Sequence, residues 1–190
     1  KSTLVNALVG KNVSLMQNMA CTSKVHSIIS KPFEDGMTSE YDHDLLLDAS
    51  VDELLHDNEK NNTSKIHVGA YFNSRLGGTR LIINDSPGVN SSENSKHRVI
   101  SEQMLGTQKC DLLIYVMNGT QLGTLDEDVH LDVVKSKLGN KRIIFVINKI
   151  DQLISDNNEV FDAIQNQRKF LISKGFVNPI ICPISSYAVY

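Results

Sequence analysis

Alternation between apolar runs and helical segments constrains the fold of this chain more than any other feature. Three apolar runs, at residues 112–117, 143–147 and 180–184, lack the polar alternation of half-exposed strands, as strands covered on both faces do. The helical patterns "TLDEDVHLDVVKSKLG" and "NEVFDAIQNQRKFLISKG" separate them. This order predicts an α/β fold with a doubly wound, mostly parallel sheet and helices on both of its faces. Ligands bind such sheets at the carboxyl ends of the strands, so the loops there should carry the function.

The N-terminal half has a different order of elements. Residues Leu4 to Val9 have an apolar helix pattern that ends near Gly10, a usual helix stop. Strands are predicted at residues 23–31, 65–73 and 79–85. Gly77-Gly78 lies between the last two and is typical of a hairpin turn, so these strands are expected to run antiparallel.

An acidic segment at residues 34–64 separates the first two predicted strands, with ten acidic residues against one base. Its charge is costly to bury, so we expect a peripheral insertion in a single domain spanning residues 1–190. Only its leucines at 45–47 and 54–55 are suited to pack on the core. A short helix with a capping box is predicted inside it, at "SVDELLHD".

Composition excludes several classes of function. The net charge of −3 argues against a nucleic-acid surface, so no nucleic-acid partner is expected. The three cysteines lack C-x-x-C spacing, which argues against a zinc site or a disulfide framework. No apolar run approaches the roughly 20 residues that span a bilayer. A cytoplasmic protein is therefore expected.

Two motifs have the chemistry of phosphate and magnesium binding. The chain opens with Lys1-Ser2-Thr3 before a helix, which is either the end of a phosphate-binding loop, G-x-x-x-x-G-K-[ST], or a plain helix cap. Asp85 closes the third strand in "NDSPGVN", where its carboxylate can reach a magnesium-bound water. The Gly88 amide can face a terminal phosphate because no side chain blocks the approach. A D-x-P-G sequence is also frequent in ordinary turns.

A third motif, "FVINKIDQL", follows a buried strand. Asp151 can accept both the ring N–H and the exocyclic amine of guanine, a paired contact that adenine does not offer. Asn148 would hold neighbouring loops together, and the Lys149 stem can lie over the base. At the last strand end, Ser185 and Ser186 place backbone groups where they can meet the guanine carbonyl.

The motifs occur in one fixed order, and the chain resembles a Ras-like, P-loop GTPase domain over nearly its whole length. The stretch "NALVGKNVSL…ACTSKVHSI" resembles the first helix and switch of bacterial dynamin-like proteins. Val89 follows D-S-P-G where Ras-type proteins often carry a water-orienting glutamine. An apolar residue there is usual in the dynamin and Era-like branches.

The resemblance implies a role for each matching residue. Lys1 would contact the β- and γ-phosphates, Ser2 would ligate Mg²⁺, and Thr3 would lie near the α-phosphate. Thr22 would complete the Mg²⁺ coordination shell and face the γ-phosphate. On the alternative interpretation, Thr22 is only a β-branched residue at the start of a strand. Asp85 would order magnesium waters. The implied catalytic residues are Lys1, Thr22 and Gly88.

The implied activity is Mg²⁺-dependent attack of water on the γ-phosphate of GTP. GTP and GDP are the expected ligands. Self-association through G domains is also expected. The resemblance leaves open whether regions outside this chain contact a membrane. By the same resemblance the chain is cut inside its first motif and lacks the first strand of the fold, which would weaken its own activity. Two alternatives stay open: an Era-like or ribosome-associated GTPase, and a GTP-gated scaffold with little hydrolysis.

Overall fold

The computed structural model describes most of the chain and divides it into two compact units. The described residues are 1–14, 24–31, 45–47, 52–54, 56, 65–86, 95–107, 110–138, 142–153 and 157–186. The first unit spans Lys1–Ser101 and the second spans Glu102–Tyr190. Across the described residues, none of the helices combines the length and the apolar composition that a bilayer crossing requires.

The described residues of the first unit include a helix that packs on a four-stranded mixed sheet. Helix α1 spans Ser2–Val9, and the strands are β1 (Val25–Lys31), β2 (Leu45–Leu47), β3 (Lys65–Tyr71) and β4 (Ile82–Asp85). The strand order is β2-β3-β1-β4. Strand β1 pairs in parallel with β3 and antiparallel with β4, and β2 pairs in parallel with β3.

This strand order corrects the predicted hairpin. Strands β3 and β4 do run in opposite directions, as expected, but β1 lies between them, so they share no hydrogen bonds. The turn at Gly77-Gly78 therefore carries the chain across β1 rather than into a neighbouring strand. Every residue of β1 except Ser30 is buried, and its Ile28 packs with Val5 and Val9 of helix α1 in the core.

Helix α1 ends where the sequence predicts, at a glycine that the fold requires. Gly10 has φ 74 and its N–H donates to the Asn6 carbonyl at 2.7 Å, the geometry of a left-handed helix cap. A Cβ at this position would lie 2.5 Å from the Asn73 carbonyl oxygen. Any side chain at Gly10 would thus meet both backbone strain and a direct clash.

The acidic segment contributes to the first unit more than a peripheral insertion would. Its residues Leu45–Leu47 form the edge strand β2, so this part of the prediction is wrong. Leu54, in a helical turn at 52–54, is completely buried, and its predicted packing on the core is confirmed. It joins a cluster made up of Val5, Val9, Val13, Ile28, Ile66, Val68, Ala70 and Phe72. The predicted cap at Ser50 lies outside the described residues.

The second unit has the predicted alternation of strands and helices. Its elements in chain order are α2 (Ser95–Thr107, which begins in the first unit), β5 (Leu113–Asn118), α3 (Leu125–Leu138), β6 (Ile143–Asn148), α4 (Asn157–Ser173) and β7 (Ile180–Pro183). The strands form a parallel sheet in the order β5-β6-β7, so the α/β class and the parallel arrangement are confirmed.

Burial in this sheet is uneven, which corrects the expectation that all three strands are covered on both faces. The last four residues of the central strand β6 are buried, whereas Ile114 in β5 and Ile180 in β7 are exposed. Both belong to the outer strands of the described sheet. An uninterrupted apolar run therefore indicates a strand here without indicating how deeply the strand is buried.

We predict that Leu54→Ala lowers the free energy of unfolding by about 2–5 kcal/mol, because it leaves a cavity in a closed core. Asp52→Ala, at an exposed position of the same helical turn, should change it by less than about 0.5 kcal/mol. Urea unfolding of the full-length protein measures both. If Leu54→Ala lowers the free energy of unfolding as little as Asp52→Ala does, the acidic segment does not contribute to the core.

Candidate functional site

The start of helix α1 has the geometry of an anion-binding end. Lys1 is the N-cap residue, and its carbonyl accepts from the backbone N–H groups of Leu4 and Val5 at 2.9 and 3.1 Å. The N–H groups of Ser2 and Thr3 precede these bonds and point out of the helix start, where the helix dipole adds partial positive charge. Ser2 and Thr3 occupy the first helical turn, half-buried. A phosphate group is therefore well suited to this end of α1.

The carboxylate of Asp85 lies directly beside this helix start. Asp85 is the last residue of β4 and is 4% exposed. Its Oδ2 accepts a hydrogen bond from Ser2 Oγ at 3.1 Å and another from Ser14 Oγ at 2.6 Å. The two predicted metal residues Ser2 and Asp85 are thus brought together, although 83 positions separate them along the chain.

These two side chains fit a magnesium ion by the chemistry of their donor atoms. Mg²⁺ prefers oxygen ligands, usually one or two protein groups together with water and phosphate oxygens. The Ser2 hydroxyl and the Asp85 carboxylate supply such oxygens within hydrogen-bond distance of each other. The third predicted metal residue, Thr22, and the predicted catalytic residue Gly88 lie outside the described residues.

Lys1 adds a positive charge to the same region. Its Nζ donates to Ser86 Oγ at 3.5 Å, so the side chain reaches the residue after Asp85. Surrounding protein desolvates the ammonium group and lowers the pKa of Lys1, while the Asp85 carboxylate acts in the opposite direction. A bound phosphate would raise this pKa, because it places further negative charge beside the ammonium.

In the second unit, Asn148 joins two loops at the carboxyl end of the parallel sheet. It closes β6 and is 7% exposed. Its Oδ1 accepts from the backbone N–H of Lys149 at 2.8 Å and of Ser186 at 3.0 Å. Its predicted role in holding neighbouring loops together is confirmed. The Ser186 N–H is thereby engaged, and its Oγ is buried without a hydrogen bond to any described residue.

The residues after Asn148 form a short turn that exposes the predicted base-recognition side chains. Lys149 has φ 64, a left-handed conformation that is uncommon for a residue with a side chain. A 3₁₀ turn follows over Ile150–Gln152, and the Ile150 N–H donates to the Ile184 carbonyl at 3.3 Å. Lys149 and Asp151 are both exposed, so their side chains are accessible to a ligand. Ser185, which precedes Ser186, is half-buried.

An open groove of about 510 Å³ in the second unit lies between the turn at 119–123 and helix α4. None of the residues predicted to bind nucleotide lines it. Its wall includes Gly119, where a Cβ would lie 3.0 Å from the Asn148 carbonyl oxygen. The backbone of Gly119 therefore packs closely against the backbone of Asn148, and a larger residue at position 119 would disturb this contact.

Sequence reasoning missed two residues of the first unit, Ser14 and Asn6. Asn6 is completely buried on the inner face of α1. Its side chain accepts from the N–H groups of Val13 and Ser14 at 2.9 and 2.8 Å and donates to the Ser14 carbonyl at 2.9 Å. A polar residue inside the apolar run "LVNALV" is the signal that could have identified Asn6. Ser14 has no comparable local signal, since its partner Asp85 is 71 positions away.

The sequence model of the dynamin family matches residues 1–151 of this chain. A sulfate adenylyltransferase subunit 1 from Aeromonas salmonicida is 31% identical over 109 residues, which is 56% of this chain and 21% of that protein. The mitochondrial tRNA modification GTPase MSS1 from Saccharomyces cerevisiae is 31% identical over 98 residues, 50% of this chain and 18% of that protein. The chain thus spans about a fifth of the length of the curated relatives it matches.

Two solved structures of Era share the fold. One is Era in complex with MgGDPNP and nucleotides 1506–1542 of 16S ribosomal RNA, with a TM-score of 0.58 and 21% identity. The other is an Aquifex aeolicus Era variant bound to GDP·AlF4⁻, with a TM-score of 0.57 and 21% identity. Each covers 98% of this chain, which in turn covers 47% of the Era chain.

The Era complex corrects the expectation that a nucleic-acid partner is excluded. That expectation relied on the net charge of −3. A protein with the same fold is bound to ribosomal RNA in the matched structure. Net charge is a property of the whole chain, whereas RNA contacts a local surface, so the exclusion was wrong.

We predict that Asn148→Ala destabilises the protein by about 1–3 kcal/mol, because it leaves the N–H of Ser186 buried without its acceptor. Asn166→Ala is the matched control: its side chain is exposed on α4, and alanine favours a helix. This control should not destabilise the protein. Denaturant unfolding of the two variants measures the difference, and a stable Asn148→Ala variant would contradict the role given to this side chain.

Proposed function

This chain belongs to the dynamin family, and on that premise we propose that it is the GTP-binding and GTP-hydrolysing domain of a dynamin-like protein. The observation that carries the proposal is the pairing of the Ser2 hydroxyl with the Asp85 carboxylate at the start of α1. A serine on a helix N-terminus beside a strand-end aspartate combines phosphate affinity with oxygen ligands for a metal.

The phosphate groups of the nucleotide would bind at the N-terminal turn of α1. There the backbone N–H groups at the helix start and the Lys1 ammonium supply positive charge. The Lys1 side chain contacts Ser86, so it extends from the helix start toward the end of β4. A cation between two such elements is well suited to the charge that develops on the γ-phosphate during transfer.

Mg²⁺ would be held by Ser2, with Asp85 as the acceptor for its coordinated water. When bound, the ion neutralises charge on the phosphate oxygens and orients the phosphates. The protein contributes the orientation of the two oxygen groups, which already lie 3.1 Å apart. Positioning and charge neutralisation would carry most of the catalysis, as they do in phosphoryl transfer generally.

Guanine would be recognised by the turn that follows β6. Asp151 is exposed there, and a carboxylate can accept two hydrogen bonds from the guanine edge. Asn148 supports this turn through the Lys149 and Ser186 backbones. The exposed Lys149 stem is available to cover the base.

We further propose that GTP hydrolysis drives a conformational change or self-assembly, and that membrane remodelling is the process served. The support is membership of the dynamin family. A second candidate is a GTPase that acts on RNA. The Era complex with 16S ribosomal RNA and the similarity to a tRNA modification GTPase favour it. Stimulation of GTP hydrolysis by anionic vesicles would support the first candidate, and stimulation by structured RNA the second.

Asp151→Asn should move the preference of the full-length protein from GTP toward xanthosine triphosphate. The amide no longer accepts from the exocyclic amine and donates instead to an oxo group. Loss of this charge-assisted contact should weaken GTP binding about 100-fold. Calorimetric titration with both nucleotides gives the two affinities.

Asp162→Asn is the control for this substitution, because Asp162 is an exposed aspartate on α4 away from the turn. It should keep the GTP preference of the unchanged protein. If Asp151→Asn also keeps that preference, guanine recognition has been assigned to the wrong residue.

A further inference from the structure

The two hydrogen bonds on Asp85 are not equivalent. Ser14 Oγ donates to Oδ2 at 2.6 Å, and Ser2 Oγ donates to the same oxygen at 3.1 Å. Hydrogen bonds to a charged oxygen are short and strong, so Ser14 is the closer and stronger partner. Ser14 itself is 4% exposed, which keeps water from replacing it.

Ser14 is held in place by Asn6. The Asn6 amide engages both the N–H and the carbonyl of Ser14, at 2.8 and 2.9 Å, and also the N–H of Val13. The backbone of Ser14 is therefore fixed to α1, the same helix that carries Ser2 at its start. The two donors to Asp85 come from one rigid element and the loop attached to it.

This arrangement fixes an orientation that the aspartate does not fix by itself. The terminal torsion of an aspartate side chain has broad preferences, so its carboxylate orientation depends on hydrogen-bond partners. Both donors act on Oδ2, and Oδ1 accepts no hydrogen bond from the described residues. Oδ1 is thereby left available to the hydration shell of a cation.

We propose that Ser14, held by Asn6, is a positioning residue for magnesium-dependent nucleotide binding. It holds Oδ2 of Asp85, so that Oδ1 remains the acceptor for Mg²⁺-bound water. The proposal rests on the proposed function, since it assigns a residue to the same metal site. Ser14 touches neither metal nor nucleotide in this role and acts through Asp85 alone.

The test is the magnesium requirement of nucleotide binding in the full-length protein. Calorimetric titration with the non-hydrolysable analogue GDPNP, repeated over a series of Mg²⁺ concentrations, gives the concentration for half-maximal binding. Ser14→Ala should raise this concentration about fivefold to tenfold, because the strongest donor to Asp85 is lost. GDPNP affinity in EDTA should change by less than about twofold, since phosphate and base contacts remain.

Two further variants keep the result interpretable. Ser14→Cys has nearly the same size but a weaker donor, so its Mg²⁺ requirement should lie between those of Ser14→Ala and the unchanged protein even if the alanine variant folds poorly. Ser74→Ala is the matched control, because Ser74 Oγ donates to the Leu8 carbonyl on the same helix at 2.5 Å. It should leave the Mg²⁺ requirement unchanged.

The outcomes separate this inference from the proposed function. GDPNP binding by the unchanged protein that shows no dependence on Mg²⁺ would overturn both. Mg²⁺-dependent binding with the same requirement in the unchanged protein, Ser14→Ala and Ser14→Cys would overturn the role of Ser14 alone. Equal weakening with and without Mg²⁺ would also overturn it, because Ser14 would then be a general structural residue.

Discussion

Burial of the Asp85 carboxylate is the constraint on which the first unit depends. A charged group that is 4% exposed is stable in a folded protein only when other groups replace the water it has lost. Two serine hydroxyls do so, from the start of α1 and from the loop that follows this helix. The Asn6 amide then secures that loop. One acidic side chain thus joins a helix, a loop and a strand end that are far apart in sequence.

The order of strands in the first sheet is what brings Asp85 to this position. Strand β1 occupies an inner position with β3 on one side and β4 on the other, and His26 of β1 is the cross-strand partner of Asp85. This pairing covers the end of β4. The acidic segment between β1 and β3 supplies the edge strand β2 and a buried leucine, so a strongly charged stretch still adds apolar groups to the core.

In the second unit a neutral amide, that of Asn148, connects separate loops, as the Asp85 carboxylate connects separate elements in the first unit. Asn148 accepts two backbone N–H groups from separate loops, and Lys149 after it adopts a left-handed conformation. Strain of this kind persists only where surrounding contacts hold the backbone. The result is a firmly held turn that leaves the side chains of Lys149 and Asp151 exposed to a ligand.

The sequence by itself determined the α/β class, the elements of the second unit and the resemblance to dynamin-like GTPases, which the family match confirms. These depend on local patterns, such as apolar periodicity, a glycine after α1 and polar residues at strand ends. The tertiary structure alone decided the place of β1 between β3 and β4, the exposure of Ile180, and the contact between Ser14 and Asp85. Strand order and side-chain contacts join residues up to 85 positions apart. Which strands pair and which side chains meet depends on how the whole chain packs, and a pattern of residues that are close in sequence does not contain this information.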